Sequence, residues 1–286
     1  MNLDHVISRR FAPTEQSYDW RDCALYALAL GMASDPLDEY ELPYVYEGMS
    51  QCAVPSQCVT LGWQPFWQND PAAGIDWPRI LHGEISFDLH QALPLQATVQ
   101  VAHRLCAVED KGAKRGAVLY FEHRVSDLTS GAALATVRDA QFLRGDGGCG
   151  NAGSVPLICA PLPVLTKPTW QIDYATAPQA ALLYRLASRD LMPLHADPSL
   201  ARQAGFDRPI SHGLATMGLA CRAILRHCLP GQSERLEHLA VRFVQPAFPG
   251  ETIRIELYEQ GDGLRFRARA LERDVLVLDR GEARWQ

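Results

Sequence analysis

An acid and an imidazole stand five positions apart in the stretch SRDLMPLHAD, residues 188–197, as Asp190 and His195. Pro193 lies between them, restricts Met192 to an extended conformation and excludes the interior of a regular helix. We therefore expect both side chains to project from a loop, where a carboxylate and an imidazole can hold a water molecule and move a proton. An Asp that caps a turn beside a partly buried His is the alternative for such a pair.

A second chemical feature follows in the stretch PISHGLATMG, residues 209–218. Apolar residues at helical spacing predict a buried helix over 210–228, so His212 and Gly213 lie in its first turn. Backbone N–H groups at a helix start lack intrahelical partners, and a glycine lets a ligand atom approach them closely. An acid, an imidazole and the Gly213 N–H are together the groups needed to move a proton and stabilise an enolate beside a thioester carbonyl.

The composition indicates a globular protein and excludes several classes of partner. The chain has 286 residues, 47% hydrophobic and 21% charged, enough for two core-forming units. Its net charge of -6 gives no overall positive field for nucleic acid or an anionic membrane. The longest apolar stretch, 23–33, is too short to span a bilayer, no secretory signal opens the sequence, and the terminal ARWQ is not a peroxisomal address. We therefore expect no nucleic-acid or membrane partner and a cytoplasmic location.

The short motifs of nucleotide-binding folds, serine hydrolases and zinc proteases are absent from the sequence. The nine histidines and eight cysteines form no cluster with the spacing of metal ligands. We therefore expect neither a metal nor a redox cofactor, and the cysteines are predicted to be reduced packing residues.

The order of the predicted elements repeats in two halves, joined by a Gly- and Pro-rich connector near residues 160–170. Each half opens with a helical pattern, over 17–32 and 178–190, and then has a His-Gly step, at His82–Gly83 and His212–Gly213. Alternating apolar and polar residues then predict strands over 95–112, 116–127 and 133–145 in the first half, and over 236–248, 251–263, 264–274 and 275–285 in the second. A short helix is predicted from the Asp197 cap and Pro198 to Gly205. A helix with an antiparallel sheet, twice, is an α+β plan with domains 1–160 and 161–286.

At these residues the sequence resembles the (R)-specific enoyl-CoA hydratases, the type-two hydratases among the MaoC-like dehydratases. The residues that match the signature of that family are Tyr184, Ser188, Asp190, Pro193, Leu194, His195, Asp197, Pro198, Gly205, Phe206, Pro209, Ile210, His212 and Gly213. The stretches RDCALYALALGM, YVYEG, RILHGE and VRFVQPAFPGET resemble the two-domain form found in multifunctional β-oxidation proteins. The resemblance implies two tandem hot-dog folds, each an antiparallel sheet wrapped around a long central helix. It also implies that domain 161–286 is catalytic and that domain 1–160 only accommodates the acyl chain.

The activity that the resemblance implies is reversible hydration of trans-2-enoyl-CoA to (R)-3-hydroxyacyl-CoA, by a hydro-lyase whose coenzyme A is part of the substrate. Asp190 and His195 would hold and activate the water, Asp190 would return a proton to C2, and the Gly213 N–H would stabilise the enolate oxygen. The further residues expected to contact the substrate or its coenzyme A are Arg185, Arg189, Met192, His212, His82, Gly83 and Lys111. Plain packing is the alternative for His82, and a solvated hairpin charge is the alternative for Lys111.

Two positions depart from the family signature and keep other functions open. Arg189 stands where the family has Gly, and Met192 stands where it has an Asn that helps to hold the water. A hydratase for branched, dicarboxylic or steroid side-chain acyl-CoAs is one alternative, and Arg189 would favour a carboxylated substrate. An acyl-CoA-binding protein with an impaired site is another, favoured by Met192, and thioester hydrolysis is a third. The acyl chain, the direction of reaction and the choice between monomer and homodimer stay open.

Overall fold

The computed structural model describes residues 1–163, 165–260 and 263–286, which form one antiparallel sheet and five α-helices. The helices are α1 (Leu3–Ser8), α2 (Trp20–Ala29), α3 (Ala180–Ser188), α4 (Pro198–Gln203) and α5 (Gly213–His227). The first-half strands are β1 (Thr14–Tyr18), β2 (Ile80–Leu89), β3 (Ala97–Asp110), β4 (Ala117–Asp127), β5 (Ala133–Leu143) and β6 (Ala152–Gly153). The second-half strands are β7 (Trp170–Ala175), β8 (Leu236–Phe243), β9 (Thr252–Gln260), β10 (Gly263–Ala270) and β11 (Val275–Trp285). Among these residues no helix has the length and apolar character needed to cross a membrane.

The two halves share a single sheet. Its strand order is β1-β3-β4-β5-β2-β8-β11-β10-β9-β7, with β6 paired to β3. The halves join where β2 pairs with β8, with Ile85 opposite Val241 and Phe87 opposite Leu239. All four of these side chains are buried, so the junction between the halves is part of the core. The large antiparallel sheet with few helices confirms the α+β class.

Helix α5 is the buried helix of the second half, as the spacing of its apolar residues predicts. The side chains of its residues Met217, Cys221 and Ile224 are fully buried. Buried and half-buried residues alternate over most of β9 and along the whole length of β10, where Phe266 is fully buried. A strand with period two thus presents one apolar face to a helix with period 3.6, which is the arrangement expected of a sheet wrapped around a helix.

The first half differs from the second in the structure of its His-Gly step. His82 and Gly83 lie inside β2, at a register shift against β5, whereas His212 and Gly213 lie at the start of α5. Apolar and polar residues alternate in ISFDL, which follows His82–Gly83, and this alternation favours a strand over a helix. The strand is hydrogen-bonded on both sides, because β2 pairs with β5 and with β8. Within the described part of the first half, a 3-10 helix at Pro55–Thr60 packs on the inner face of the sheet, and the longest α-helix is α2 with ten residues.

The other predicted elements are present with small shifts at their ends. The strands predicted over 95–112, 116–127 and 133–145 are β3, β4 and β5, and the four predicted in the second half are β8 to β11. Helix α4 begins at Pro198, and its Asp197 cap accepts the N–H groups of Ser199 and Leu200, as expected. Two strands were not predicted, β1 and β7, which have five and six residues and lie at the two edges of the sheet.

Candidate active site

The loop after α3 presents Asp190 in the way that the sequence predicts. The α3 helix ends at Ser188, and Arg189 takes a left-handed conformation with φ +60°. This conformation explains the Gly of the family signature, because a glycine adopts it without a steric penalty. The Asp190 N–H donates to Ser188 Oγ over 3.2 Å, and Asp190 Oδ1 accepts the Met192 N–H over 3.0 Å. The first bond holds the backbone of Asp190 and the second holds its carboxylate, which leaves Oδ2 for other partners.

The tautomer of His195 follows from its hydrogen bond to the backbone. Its Nδ1 lies 2.9 Å from the carbonyl oxygen of Ile210, which can only accept, so Nδ1 carries the proton. Burial lowers the pKa of His195 below the ordinary value of 6.5, although the Asp190 charge opposes this shift. The ring is therefore neutral at pH 7, and its Nε2 has a free lone pair that can accept a proton.

His212 stands beside this pair at the start of α5. Its ring stacks on that of His195, with centroids 3.7 Å apart, and its Nε2 lies 4.0 Å from Asp190 Oδ2. The side chain is 1% exposed, and neither ring nitrogen has a hydrogen-bond partner. Burial and the neighbouring His195 lower the pKa of His212 to about 3, so this ring is also neutral. Its unpartnered nitrogens indicate that the site is built to receive a polar ligand.

Gly213 is the first residue of α5, and its N–H has no partner inside the helix. A Cβ atom added there would lie 2.9 Å from the ring of Phe243, so any larger residue would force that ring to move. Phe243 in turn packs on the ring of His82, with centroids 4.8 Å apart. The Phe243 ring therefore lies between Gly213 and His82, where the two halves meet.

Asp190, His195 and His212 also have the chemistry of metal ligands. One ligand atom from each lies within 4.8 Å of the others. Imidazole nitrogens and a carboxylate suit zinc and several other divalent ions. The same separation fits a bound water, because a water bridges two polar atoms at about 2.8 Å from each. The expectation that no metal is bound therefore stays a prediction.

Both halves line one cavity of about 2030 Å³ that contains these residues. Most of the predicted substrate contacts lie in its wall, namely His82, Gly83, Lys111, Arg189, Met192 and His212. Arg185 is outside this wall, and its guanidinium donates to the carbonyl oxygen of Met192 over 3.3 Å. Arg189 reaches across to the first half, where it contacts Ser17 O at 3.3 Å and Asp22 Oδ1 at 3.4 Å. Its charge is thus engaged away from Asp190, which weakens the argument for a carboxylated substrate.

Two residues that support the loop were not predicted as site residues. The first-half Trp63 donates its indole N–H to the Ser188 carbonyl over 2.6 Å and so ties the first half to the Asp190 loop. The Tyr184 ring packs 5.1 Å from that of His212, and its buried hydroxyl has no partner. The aromatic position of the signature could have identified Tyr184, whereas nothing in the local sequence around Trp63 indicates this long-range contact.

Comparison with known proteins relates both halves to described domains. A profile described as MaoC like domain matches residues 163–280, and one described as MFE-2 hydratase 2 N-terminal domain matches residues 16–145. The Arabidopsis thaliana protein named "Enoyl-CoA hydratase 2, peroxisomal" is 33% identical, over 97% of this chain and 93% of its own length.

Solved structures relate the whole chain to the same group. A MaoC-like dehydratase from Phytophthora capsici is 30% identical with a TM-score of 0.86, and the match covers 100% of this chain and 99% of that one. A Mycobacterium tuberculosis protein described as a double hot-dog fold is 17% identical with a TM-score of 0.55, over 94% of this chain and 95% of that one, which bears on the fold alone. These likenesses confirm the predicted hot-dog fold. The chain belongs to the MaoC-like dehydratase family, in the form that carries an MFE-2 hydratase 2 N-terminal domain.

Proposed function

We propose that the protein hydrates trans-2-enoyl-CoA reversibly to (R)-3-hydroxyacyl-CoA. The observation that carries the proposal is that ligand atoms of Asp190 and His195 lie within 4.8 Å of each other and that both residues line one cavity with Gly213. A base, an acid and an oxyanion donor are the three functions that addition of water to a conjugated thioester requires.

Each step uses a group whose position is defined by the fold. A water between Asp190 Oδ2 and His195 Nε2 loses a proton to this pair as its oxygen bonds to C3 of the enoyl group. Electrons move to the thioester oxygen, where the Gly213 N–H stabilises the negative charge. The enolate then collapses as the proton taken from the water by His195 passes to Asp190 and from Asp190 to C2, so that one water is added overall. Dehydration follows the same steps in reverse.

The charge of the cavity supports an anionic ligand such as coenzyme A. Eight Lys and Arg residues but only four Asp and Glu residues line it, although the whole chain has a net charge of -6. Five of these cations lie at one end of the first-half sheet: Arg79, Lys111, Lys114, Arg115 and Arg144. Lys111 is paired with Glu109 and Arg79 with Asp76, which leaves Lys114, Arg115 and Arg144 as the better phosphate contacts.

We also propose that domain 161–286 is catalytic and that domain 1–160 accommodates the acyl chain. Domain 161–286 carries Asp190, His195 and Gly213, and domain 1–160 contributes cavity wall and Trp63. A cytoplasmic location stays a prediction, since the Arabidopsis relative is named as peroxisomal; fractionation of cells that make the full chain tests it. The choice between monomer and homodimer likewise stays open, and sedimentation of the purified chain in an analytical ultracentrifuge would decide it.

Purified protein mixed with a panel of trans-2-enoyl-CoAs tests the proposed activity directly. Loss of the absorbance of the conjugated thioester without release of free thiol is the expected result, and the product should be the (R)-3-hydroxyacyl-CoA. The rate should persist after dialysis against a chelator, because the proposed steps use no metal. Thiol release would indicate a thioesterase, and tight binding without any change of the enoyl group would indicate an impaired acyl-CoA-binding protein.

Replacing Met192 by Asn tests how this chain positions its water. Met192 lines the cavity two residues after Asp190, and its thioether is a weak acceptor, whereas an amide would add a donor and an acceptor. We expect Met192→Asn to raise kcat on straight-chain enoyl-CoAs by about threefold to tenfold, the size of one modest hydrogen bond. An unchanged or lower kcat would show that the pocket is adapted to Met192 and to another acyl group.

A further inference from the structure

A polar stripe crosses the inner face of the first-half sheet, at a place where apolar packing is the rule. It consists of His103 on β3, His123 on β4, Asp139 and Gln141 on β5, and His82 on β2, and all five residues line the cavity. On the same face of β4 and β5 the neighbours Phe121 and Val137 are buried. The family resemblance assigns no role to four of these five residues.

A row of hydrogen bonds runs along one end of the stripe. The carbonyl of Gly62 accepts the Thr14 hydroxyl proton over 2.7 Å, so Thr14 Oγ1 must accept from His103 Nε2 over 2.8 Å. His103 Nδ1 then shares one proton with His123 Nδ1 over 2.8 Å, and His123 Nε2 shares another with Asp139 Oδ1 over 2.8 Å. Hydrogen bonds thus connect Gly62 to Asp139 without a break, and Asp139 Oδ2 lies outside this row.

The other end of the stripe has an open hydrogen-bonding position. Asp139 Oδ2 accepts the side-chain N–H of Gln141 over 3.2 Å and lies 3.8 Å from His82 Nε2, which is too long for a direct bond. His82 Nε2 is buried and has no partner. Burial lowers the pKa of His82 although the Asp139 charge opposes this shift, so the ring is neutral. With the ring proton on Nε2, an N–H donor and a carboxylate acceptor lie side by side in the cavity wall.

The position of the stripe relative to the reacting atoms points to the acyl portion of a substrate. The cationic end of the cavity lies at the β3–β4 hairpin, with Lys111 and Arg115, and His103 and His123 each lie eight residues from these two along the chain. At about 3.3 Å per residue, this places them about 20 Å or more from that end. His82 lies between, one aromatic ring away from Gly213. A thioester with its phosphates at the cationic end and its carbonyl at Gly213 therefore extends its acyl chain toward the stripe.

We propose that His82 and Asp139 bind a hydroxyl group on the acyl chain of the substrate, so that the enzyme prefers hydroxylated acyl-CoAs. The inference rests on the proposed function. A hydroxyl accepts from the His82 N–H and donates to Asp139 Oδ2, and so satisfies both groups. A methylene leaves both without a partner, a ketone satisfies only the donor, and a carboxylate is repelled by Asp139.

Binding of unreactive ligands tests this without relying on turnover. Saturated acyl-CoAs of six to sixteen carbons, each with and without a terminal hydroxyl, are titrated into the protein by calorimetry. We expect a hydroxyl to tighten binding about tenfold at one or two chain lengths, as one good hydrogen-bonded group would. The ratio of the two dissociation constants, without and with the hydroxyl, should fall below about twofold in His82→Phe. His82→Gln, which keeps an N–H donor, should retain part of the tenfold ratio. His90→Phe is the matched control, since His90 follows the same strand but lies outside this cavity, and its ratio should equal that of the wild type.

Two results would overturn the inference. Equal affinity of both series at every length would mean that the position holds only water, and an undiminished ratio in His82→Phe would place the hydroxyl elsewhere. If plain acyl-CoAs bind and enoyl-CoAs are hydrated without a hydroxyl preference, only the inference fails. If no acyl-CoA binds at all, the proposed function fails together with it.

Discussion

Asp190→Asn and His195→Gln are each expected to lower kcat for hydration by about a hundredfold or more, because general acid–base catalysis contributes at least that much. Asn at 190 keeps the size of the side chain and its hydrogen bond from the Met192 N–H but cannot carry the proton to C2. Gln at 195 cannot take up the proton that Nε2 accepts. Initial rates of enoyl-CoA absorbance loss, at saturating substrate, measure both effects.

Asp207→Asn serves as the control for the first prediction. Asp207 is exposed in the segment between α4 and α5 and lies outside the cavity wall, so its variant should keep kcat within about twofold. Circular dichroism and binding of a saturated acyl-CoA would establish that the two site variants are folded. Near-wild-type turnover in both of them would exclude the mechanism proposed here.

The pH dependence of the wild-type enzyme adds a second readout to the same prediction. Burial lowers the pKa of His195, so the neutral base persists to pH values below 6.5. We expect kcat/KM to be constant near pH 7 and to fall only as the pH decreases through the lowered value, where Nε2 becomes protonated. A decline that begins above pH 6.5 would contradict the lowered pKa of His195.

The sequence is sufficient for the catalytic loop because that loop is organised locally. Pro193 limits its conformation, the Asp197 cap and Pro198 begin the next helix, and the Asp190 carboxylate binds a backbone N–H only two residues away. Such short-range interactions leave a pattern that is read directly from neighbouring residues. The strands can be predicted from the sequence for the same reason, because the alternation of apolar and polar residues along each strand reflects its own two faces.

The first half could be predicted less well because its special features depend on contacts between distant residues. The His82–Gly83 step has the same two residues as the start of α5, and two residues are too few to show the periodicity of a helix or a strand. The pairing of β2 with strands on both sides decides its conformation. Trp63 contacts Ser188 across 125 positions. A signal for the polar stripe was nevertheless present, since His123 and Asp139 occupy positions that the alternation of their strands assigns to the inner face. A polar residue at such a position indicates either a satisfied network or a site.

Glu41→Leu is expected to lower the free energy of unfolding by about 3 to 5 kcal/mol, because it leaves the charge of Arg222 buried without its partner. Arg222 lies in the middle of α5 and is 7% exposed, and Glu41, in the first half, is 4% exposed. The guanidinium Nη2 donates to Glu41 Oε2 over 2.8 Å, and Nη1 donates to the Leu30 carbonyl over 3.2 Å. Arg222 also lies over the ring of Tyr174, 4.4 Å from its centroid. Urea unfolding followed by tryptophan fluorescence measures the loss.

An exposed ion pair provides the comparison that separates burial from charge. Asp173→Asn breaks the bidentate contact of Asp173 with Arg254, whose side chains are 41% and 33% exposed, and should cost less than about 1 kcal/mol. If Glu41→Leu cost no more than this variant, the buried pair would not stabilise the junction between the halves. The double variant Glu41→Leu with Arg222→Met should recover much of the loss, because it removes both charges from the interior. Since α5 carries Gly213 at its first residue, a weakened Glu41 contact should also loosen the helix that presents the oxyanion donor to the substrate.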